Sequence, residues 1–579
     1  MISDELHREV LTWLADDPDE RDRAELSSLL RAAEGSDAGA AEAAVSDLTD
    51  RFATRLEFGT AGLRGAVAAG PNRMNRAVVR GTTAALAGWL LYVDPAAADS
   101  GVVIGCDARH RSEDFAIEAA RVLAGAGVAV HLLPSRLPTP VLAFAVGHLS
   151  AAAGVMITAS HNPPADNGYK LYLGDGAQIV PPADLEIEAA TRALGPLSQV
   201  PIAPDNDPLI TRHGDEVTAA YVDAICAASP APKGAAWLRF TYTPLHGVAG
   251  QVALRAFEQA GFPEPDVVEA QFDPDPDFRT VRFPNPEEPG ALDLALAQAR
   301  RSGAELVIAN DPDGDRLAVA VPDDEAAGGW RTLTGDQLGA LLGAYLLGLD
   351  VAQSGGTGAG QPQTDRQPLV ASTIVSATML SSIAAAAGAA YAETLTGFKW
   401  ISRAADLRPE VRFLYGYEEA LGYTVGRTVR DKDGIGAALA VLSLAARARA
   451  GGESLIEAYD ALEIAHGVHL TTQITVPTQE PVHVMSRLRI EAPAELGGEA
   501  ITATSDLSGG TDQLPSADVL RYWLRDARVV VRPSGTEPKI KAYLEVVEPV
   551  IAGRLTEARR AARARMEPLR DAVADLLNG

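Results

Sequence analysis

Residues 4 to about 50 carry apolar side chains at helical spacing, Leu6, Val10, Leu11 and Leu14 and then Leu26, Leu29 and Leu30, with charged residues between them. That period predicts helices whose apolar face packs on the domain that follows. From about residue 75 to 200 the texture changes. Short β-branched runs, VVIG (102–105), VAVHLL (128–133) and VMIT (155–158), alternate with helix-like stretches rich in Ala and Leu. Such alternation predicts βαβ units and a mostly parallel sheet. It returns at WLRFTYT (237–243), ELVIA (305–309) and LAVAV (317–321), and starts again at PLVASTIV (368–375). From about residue 466 the pattern becomes strand after strand, TTQITV, ARVVVRPSG and KIKAYLEVV, closed by a long Ala/Arg/Leu helix. The expectation is an α/β protein of four domains, three similar mixed α/β domains in series and a C-terminal α+β domain, around a central cleft. Its stretches are 1–210 with the N-terminal helices, 211–328, 329–465 and 466–579. The Gly- and Gln-rich segment 353–363 reads as a surface loop between a helix and a strand.

Composition narrows the function classes. With 579 residues, 47% hydrophobic and 22% charged, the chain has material for several cores and is neither disordered nor fibrous. A formal net charge of −27 repels polyanions, which argues against nucleic acid and anionic membrane as partners and requires a local basic patch for any anionic substrate. The only cysteines are Cys106 and Cys226, too few for a disulfide framework or a thiolate metal site. The acidic, amphipathic start lacks the features of a secretory signal, and no run of 18 apolar residues occurs. The expected location is the cytoplasm.

Chemistry concentrates in loops at strand ends. GVMITASHNP (154–163) is an apolar strand that stops in a hydroxyl, an imidazole and an amide, which makes Ser160 a candidate nucleophile and His161 a candidate proton carrier. ELVIANDPDGDR (305–316) places Asp311, Asp313 and Asp315 at alternate positions after a strand. Carboxylates so crowded raise one another's pKa, and a hard divalent cation such as Mg²⁺ removes the conflict; a solvated acidic turn is the plainer alternative. An EF-hand fits worse, because Gly314 falls at the fourth position of the loop and not the sixth. RVVVRPSGTE (528–537) puts Arg532, Ser534, Gly535 and Thr536 on one turn, a guanidinium with hydroxyls and accessible N–H groups that suits a phosphate. YGYEEALGYTVGRTVRDKDG (415–434) carries Glu418 and Glu419, suited to vicinal sugar hydroxyls, and Lys432. FGTAGLRG (58–65) reads as a glycine-rich loop in which Arg64 and Thr60 could meet phosphate, whereas Asp107 and Arg109 of GCDARHRS read as a structural ion-pair corner.

TASHNP, DPDGD, GYEEALG and RPSGT, in that order and with FGTAGLRG ahead of them, resemble the α-D-phosphohexomutase superfamily over nearly the whole chain. TPLHG (243–247), FPNPEEP (283–289) and LTGFKWI (395–401) resemble its branch of phosphoglucomutases, phosphomannomutases and phosphopentomutase-like members. The resemblance implies that Ser160 carries a phosphoryl group and contributes with Asp311, Asp313 and Asp315 to a Mg²⁺ site. It implies too that Arg316, Thr396, Gly397, Lys399, Glu418, Glu419 and Lys432 contact substrate, and that Arg532, Ser534, Gly535 and Thr536 bind the phosphate not being transferred. One position departs from the pattern: Ala420 stands where many hexose members carry a serine.

The activity so implied is reversible phosphoryl transfer between the 1- and 6-positions of a glucose or mannose phosphate, through a phosphoserine and a bisphosphate intermediate. Arg64 would assist at the transferring group, and His161 and Lys170 are unranked candidates for the hydroxyl proton. A sugar bisphosphate is a candidate activator, and the chain is expected to be a monomer or homodimer. Phosphopentomutase activity on the same scaffold is the alternative, followed by an aspartate-based phosphatase with Asp311 as nucleophile and a non-catalytic phosphosugar-binding protein.

Overall fold

The computed structural model describes residues 2–578 apart from 60–61, 327, 356–365 and 536–537. Its contacts divide the chain into two units, one of Met1–Pro230, Arg239–Leu317 and Thr428–Leu439, the other of Ala231–Leu238, Ala318–Arg427 and Ala440–Gly579. Each unit therefore draws on more than one of the four stretches read from the sequence.

In the first unit the expected N-terminal helices are Asp4–Asp16, Glu20–Ala33 and Ala38–Ala53. Ser3, Asp19 and Asp37 cap them by accepting backbone N–H groups that the first turn leaves unpaired. Val10, Leu26, Leu30 and Leu48 bury against one another and Ala69. A six-stranded sheet follows, made of β1 (Leu63–Ala66), β2 (Val102–Cys106), β3 (Val130–Leu132), β4 (Ala153–Ile157), β5 (Asp166–Leu173) and β6 (Ile210–Arg212), in the order β1-β5-β4-β2-β3-β6. Strands β4, β2, β3 and β6 run parallel. All residues of β2 and β4 are buried, and each such Val or Ile stabilises by about 1.5–3 kcal/mol. β5 runs antiparallel to both β4 and β1, so Arg64 lies on a strand and not in the glycine loop expected for it. Leu63–Ala66 pairs because Gly168 opposite Arg64 lets the strands close; a Cβ there would come within 2.6 Å of the Leu63 and Thr158 carbonyl oxygens. Further along, β7 (Phe240–Thr243) pairs in parallel with β8 (Asp266–Val267) and β9 (Leu306–Asn310).

In the second unit β10 (Leu317–Pro322) and β11 (Trp330–Thr332) form an antiparallel pair. β12 (Gln367–Thr373), β13 (Ala390–Thr394), β14 (Val411–Glu418) and β15 (Gly422–Val425) form a sheet in the order β13-β12-β14-β15, parallel except for the final hairpin. The C-terminal stretch is the expected α+β arrangement. A small ribbon of β17 (Glu495–Leu496) and β18 (Glu499–Ala500) accompanies a larger antiparallel sheet. That sheet holds β16 (Val468–Pro477), β19 (Ala503–Asp506), β20 (Leu520–Leu524), β21 (Ala527–Pro533) and β22 (Lys539–Glu548), and the helix Leu555–Asn578 packs on it. Most of the segment 353–363 lies outside the described residues. Among those described, no single helix is long and apolar enough to cross a membrane, and Cys106 and Cys226 are free and buried.

Candidate active site

Ser160 follows β4 by two residues of irregular backbone and adopts φ +52°, a left-handed conformation unusual for a residue with a Cβ. Its N–H donates to Thr158 Oγ1 at 2.9 Å. Arg109 holds the turn in this shape. Buried, it donates to the carbonyls of Ser160 (2.6 Å), Asn162 (2.6 Å), Pro163 (2.7 Å) and Asp166 (3.1 Å). Asp107 lies 3.5 Å from its Nε. The corner read from the sequence as a structural ion pair is thus the mooring of the loop that carries the candidate nucleophile.

The DPDGD turn leaves β9 and bends at Gly314, φ +71°. Asp311, Asp313 and Asp315 are buried, and one oxygen of each lies within 4.8 Å of the others. Ser160 Oγ donates to Asp311 Oδ2 at 2.6 Å and stands 3.1 Å from His161 Nδ1. Lys170, buried on β5, gives its ammonium to Asp313 Oδ2 (2.6 Å) and Asp315 Oδ2 (2.8 Å). Lys432 Nζ sits 3.2 Å from Asp315 Oδ2 and from Asp431 Oδ1. Asp431 in turn accepts from Tyr172 OH and Gln178 Nε2, both at 2.7 Å. Arg64 Nη1 donates to Asn162 Oδ1 at 3.1 Å, while its buried Nε has no hydrogen-bond partner among the described residues. Arg316 donates its backbone N–H to Asp311 Oδ1 (3.0 Å) and pairs with Glu287 at 3.4 Å. Ser160, Arg64, His161, Lys170, the three aspartates, Arg316 and Lys432 are therefore one cluster.

Charge in the cluster is unevenly spread. Burial, reinforced by Asp313 and Asp315, pushes the Asp311 carboxyl well above the usual carboxylate range. Asp313 and Asp315 suffer the same burial, and Asp315 also raises Asp313, but Lys170 together with the Thr139 hydroxyl at Asp313, and with Lys432 and Arg316 at Asp315, holds both low on balance. Burial opposes charge on Lys170 too, yet Asp313 and Asp315 raise its pKa on balance, so it remains an ammonium. His161 is held well below its ordinary value by burial and by the cations Arg316 and Arg64, and is a neutral imidazole. The oxygens Asp313 Oδ1 and Asp315 Oδ1 are buried with no hydrogen-bond partner among the described residues. Orphaned anionic oxygens beside Asp311 and a serine oxygen are a hard, all-oxygen donor set, which fits Mg²⁺.

Besides Asp431 with Tyr172 and Gln178, Thr139 and Asn310 escaped the sequence reading. Thr139 Oγ1 donates to Asp313 Oδ2 (2.5 Å) and its N–H to the Asp313 carbonyl (2.8 Å); the sequence shows only a Thr-Pro pair opening the helix Thr139–His148. Asn310 Nδ2 donates to the Arg316 carbonyl at 2.8 Å, closing the acidic turn.

The second unit holds the remaining candidates. Glu418 ends β14 and its Oε1 accepts from the Gly397 N–H at 2.8 Å, which joins the sugar-loop candidate to the Thr396-Gly397 turn; Gly397 has φ +109°. Lys399 follows, partly buried, in the short helix Phe398–Ile401. Glu419 points elsewhere, its Oε2 accepting from Thr373 Oγ1 (3.2 Å) and Ser376 Oγ (3.1 Å). The two adjacent glutamates are thus held by different segments. Arg532 near the end of β21 donates to Tyr543 OH at 3.1 Å, and its buried Nε has no hydrogen-bond partner among the described residues. Ser534 N–H donates to the Lys539 carbonyl (2.9 Å), which shapes the turn before the exposed Gly535. Thr536, like Thr60, lies outside the described residues.

The chain matches four successive descriptions of phosphoglucomutase/phosphomannomutase. These are α/β/α domain I at residues 55–196, domain II at 219–326, domain III at 334–463 and the C-terminal domain at 485–562. It belongs to the α-D-phosphohexomutase superfamily. Each matched region carries one of the loops described above, SHNP, DPDGD, EEALG and RPSG in turn. Among its relatives is a Haemophilus influenzae protein named "Probable phosphomannomutase", 42% identical over 82% of this chain and 93% of that one. Another is the Homo sapiens phosphopentomutase, 36% identical over 88% of each chain. A crystal structure of a Burkholderia thailandensis phosphoglucomutase/phosphomannomutase family protein shares the fold, with a TM-score of 0.64 at 20% identity, covering 88% of this chain and 98% of that one. The chain is thus a phosphosugar mutase, an isomerase that moves phosphate on small phosphosugars, and the aspartate-phosphatase and non-catalytic readings give way to that activity.

Proposed function

We propose that the enzyme interconverts the 1- and 6-phosphates of a hexose, glucose or mannose, with Ser160 as the phosphoryl carrier. One observation carries the reading: the Ser160 hydroxyl lies 2.6 Å from a carboxylate of the buried aspartate triad, where no turn or cap requires it. Phosphorylated Ser160 gives its phosphoryl group to the free hydroxyl of the substrate, so the Oγ–P bond breaks, a sugar O–P bond forms and the hydroxyl proton is released. The resulting bisphosphate returns its other phosphoryl group to Ser160. Asp311, Asp313, Asp315 and the Ser160 oxygen would hold Mg²⁺, which supplies positive charge against the oxygens of the migrating group.

His161 is the better proton acceptor of the two candidates. Its imidazole is neutral and Nδ1 stands 3.1 Å from the reacting oxygen. Lys170 is committed to Asp313 and Asp315 and acts as a stationary cation. Arg64, already turned toward the SHNP loop through Asn162, is the guanidinium for the transferring phosphate. Glu418 and Glu419 take the sugar hydroxyls with Thr396, Gly397 and Lys399 beside them, while Arg532, Ser534, Gly535 and Thr536 take the other phosphate and a sugar bisphosphate primes Ser160.

A pentose substrate is the second reading, favoured by Ala420, which removes a hydroxyl from the sugar loop, and by the similarity to phosphopentomutases. Glucose 1-phosphate, mannose 1-phosphate and ribose 1-phosphate assayed in parallel with Mg²⁺ and a trace of bisphosphate test both. A hexose kcat/KM at least about tenfold above that for ribose 1-phosphate, a gap of about 1.4 kcal/mol in transition-state binding, supports the hexose assignment. The reverse order establishes the pentose one. An acid-stable seryl phosphate that disappears in S160A identifies the carrier, and its persistence in S160A removes Ser160 from the role.

A further inference from the structure

Arg528 sits on β21 four residues before Arg532. Its buried guanidinium donates from Nε to Glu545 Oε2 (2.6 Å), from Nη1 to the Ile374 carbonyl and Glu393 Oε1 (both 3.2 Å), and from Nη2 to the Ser376 carbonyl. Glu545 faces Arg528 directly across the β21–β22 pair. It accepts from the N–H (2.7 Å) and hydroxyl (3.0 Å) of Thr378 and pairs with His469 Nδ1 at 2.8 Å. Two strands of the C-terminal sheet thus grip the turn Ile374–Thr378 from one side. From its other side the same turn presents Ser376 Oγ to Glu419, with Thr373 Oγ1 from the end of β12 beside it.

A buried ion pair adds little net stability against an apolar filling of the same volume. What this network does specify is the placement of two backbone carbonyls, one of which belongs to the residue that hydrogen-bonds Glu419. We propose that Arg528 is a positioning residue, which through the Ser376 carbonyl sets the carboxylate of Glu419 and so ties the strand entering the RPSG loop to the sugar loop. The inference rests on the reading of Glu419 as a sugar contact. It makes the register of β21 a determinant of how the sugar is held, although Arg528 itself touches no substrate.

R528K keeps a cation beside Glu545, but one ammonium cannot span Glu545 and both carbonyls. S376A leaves every Arg528 contact in place and removes only the final hydroxyl. Each is expected to raise KM for the preferred sugar phosphate about tenfold with kcat within about twofold. Because the two act in one chain of contacts, R528K/S376A should be no worse than R528K alone. In an E419A background neither substitution should shift KM further. A crystal structure of R528K should show the Glu419 carboxylate withdrawn from Thr373 and Ser376. Additive KM effects overturn the proposal, as does a lowered melting temperature with KM unchanged, or an R528K structure in which Glu419 keeps both partners. Absence of wild-type turnover on all three sugar phosphates would overturn the proposed function instead, and the R528K structure would still decide the coupling.

Discussion

Replacing Arg109 separates mooring of the SHNP loop from the chemistry proposed for Ser160. Arg109→Met deletes four hydrogen bonds to carbonyls of residues 160, 162, 163 and 166 and leaves Asp107 buried without its cation. It also removes a guanidinium 4.9 Å from the Phe278 ring centroid. Breaking a buried pair from one side costs about 3–5 kcal/mol, enough to threaten folding. Arg109→Lys is the sharper probe, because it keeps the charge near Asp107 and loses most of the fork. With hydrogen bonds to a charged donor contributing about 1.5–3 kcal/mol each and far from additive, the net loss should be about 2–4 kcal/mol. That corresponds to a fall in Tm of about 4–16 °C for a domain of about 150–250 residues. The Ser160 backbone is held left-handed by these contacts, so release displaces Oγ from Asp311. Misplacement of about 1 Å can reduce turnover about 100-fold; kcat should therefore fall about 10- to 100-fold in R109K while KM stays within about threefold. Thermal denaturation and steady-state mutase kinetics read the two effects on one preparation. Full kcat in R109K, whatever its Tm, would refute a role for Arg109 in setting the proposed nucleophile, Ser160.

Ser160→Gly and Ser160→Ala should both lack turnover, but the glycine variant should be more stable by about 1 kcal/mol, because only the alanine retains a Cβ at φ +52°; equal urea midpoints would show that the backbone there is unstrained. Asp336 is pushed up to about 6, by burial first and then by Glu419 and Glu545. A carboxyl that holds its proton more tightly when folded makes stability fall as pH rises from about 4 to 6, by about 3 kcal/mol in all. Asp336→Asn should flatten that part of the Tm–pH profile, and an unchanged slope would be inconsistent with the assignment. Gly335→Ala would set a Cβ 1.9 Å from the Glu419 carbonyl oxygen. A loss of at least about 2 kcal/mol and a weakened sugar KM are expected, and wild-type values for both would mean that this contact is not made.

The strand runs of the parallel layers were legible because a strand buried on both faces needs continuous apolar side chains, and VVIG and VMIT have them. DNGYKLYL was not, since its central lysine looks like a surface residue. Lys170 is buried only because Asp313 and Asp315, more than 140 positions later, offset its desolvation. Arg64 was misplaced onto a loop for a related reason: three glycines suggest a turn, and the strand that claims Leu63–Ala66 lies a hundred residues away. The loops proposed to carry chemistry could be singled out from residue type, because carboxylates at alternate positions and a hydroxyl at a strand exit have few structural reasons to be there. Thr139 and the mooring role of Arg109 were not readable, as both act on residues remote in sequence. The adjacent Glu418 and Glu419 looked equivalent; the segments that grip each one, around Gly397 and Ser376, make them different.

The three leading helices bear on where this enzyme can be cut. Arg111 reaches from the start of the helix Ser112–Gly125 to Asp19 and Asp22, Asp16 accepts the N–H groups of Leu197 and Ser198, and Arg51 holds Glu25 and the Ala69 carbonyl. A recombinant fragment begun at residue 55, where the first family match starts, would retain the SHNP, DPDGD, EEALG and RPSG loops yet leave Arg111 without Asp19 and Asp22 and Ala69 without the helices it packs on. Such a trimmed enzyme should give less folded protein than the full chain, because the contacts that complete its first domain come from a segment that no matched domain contains.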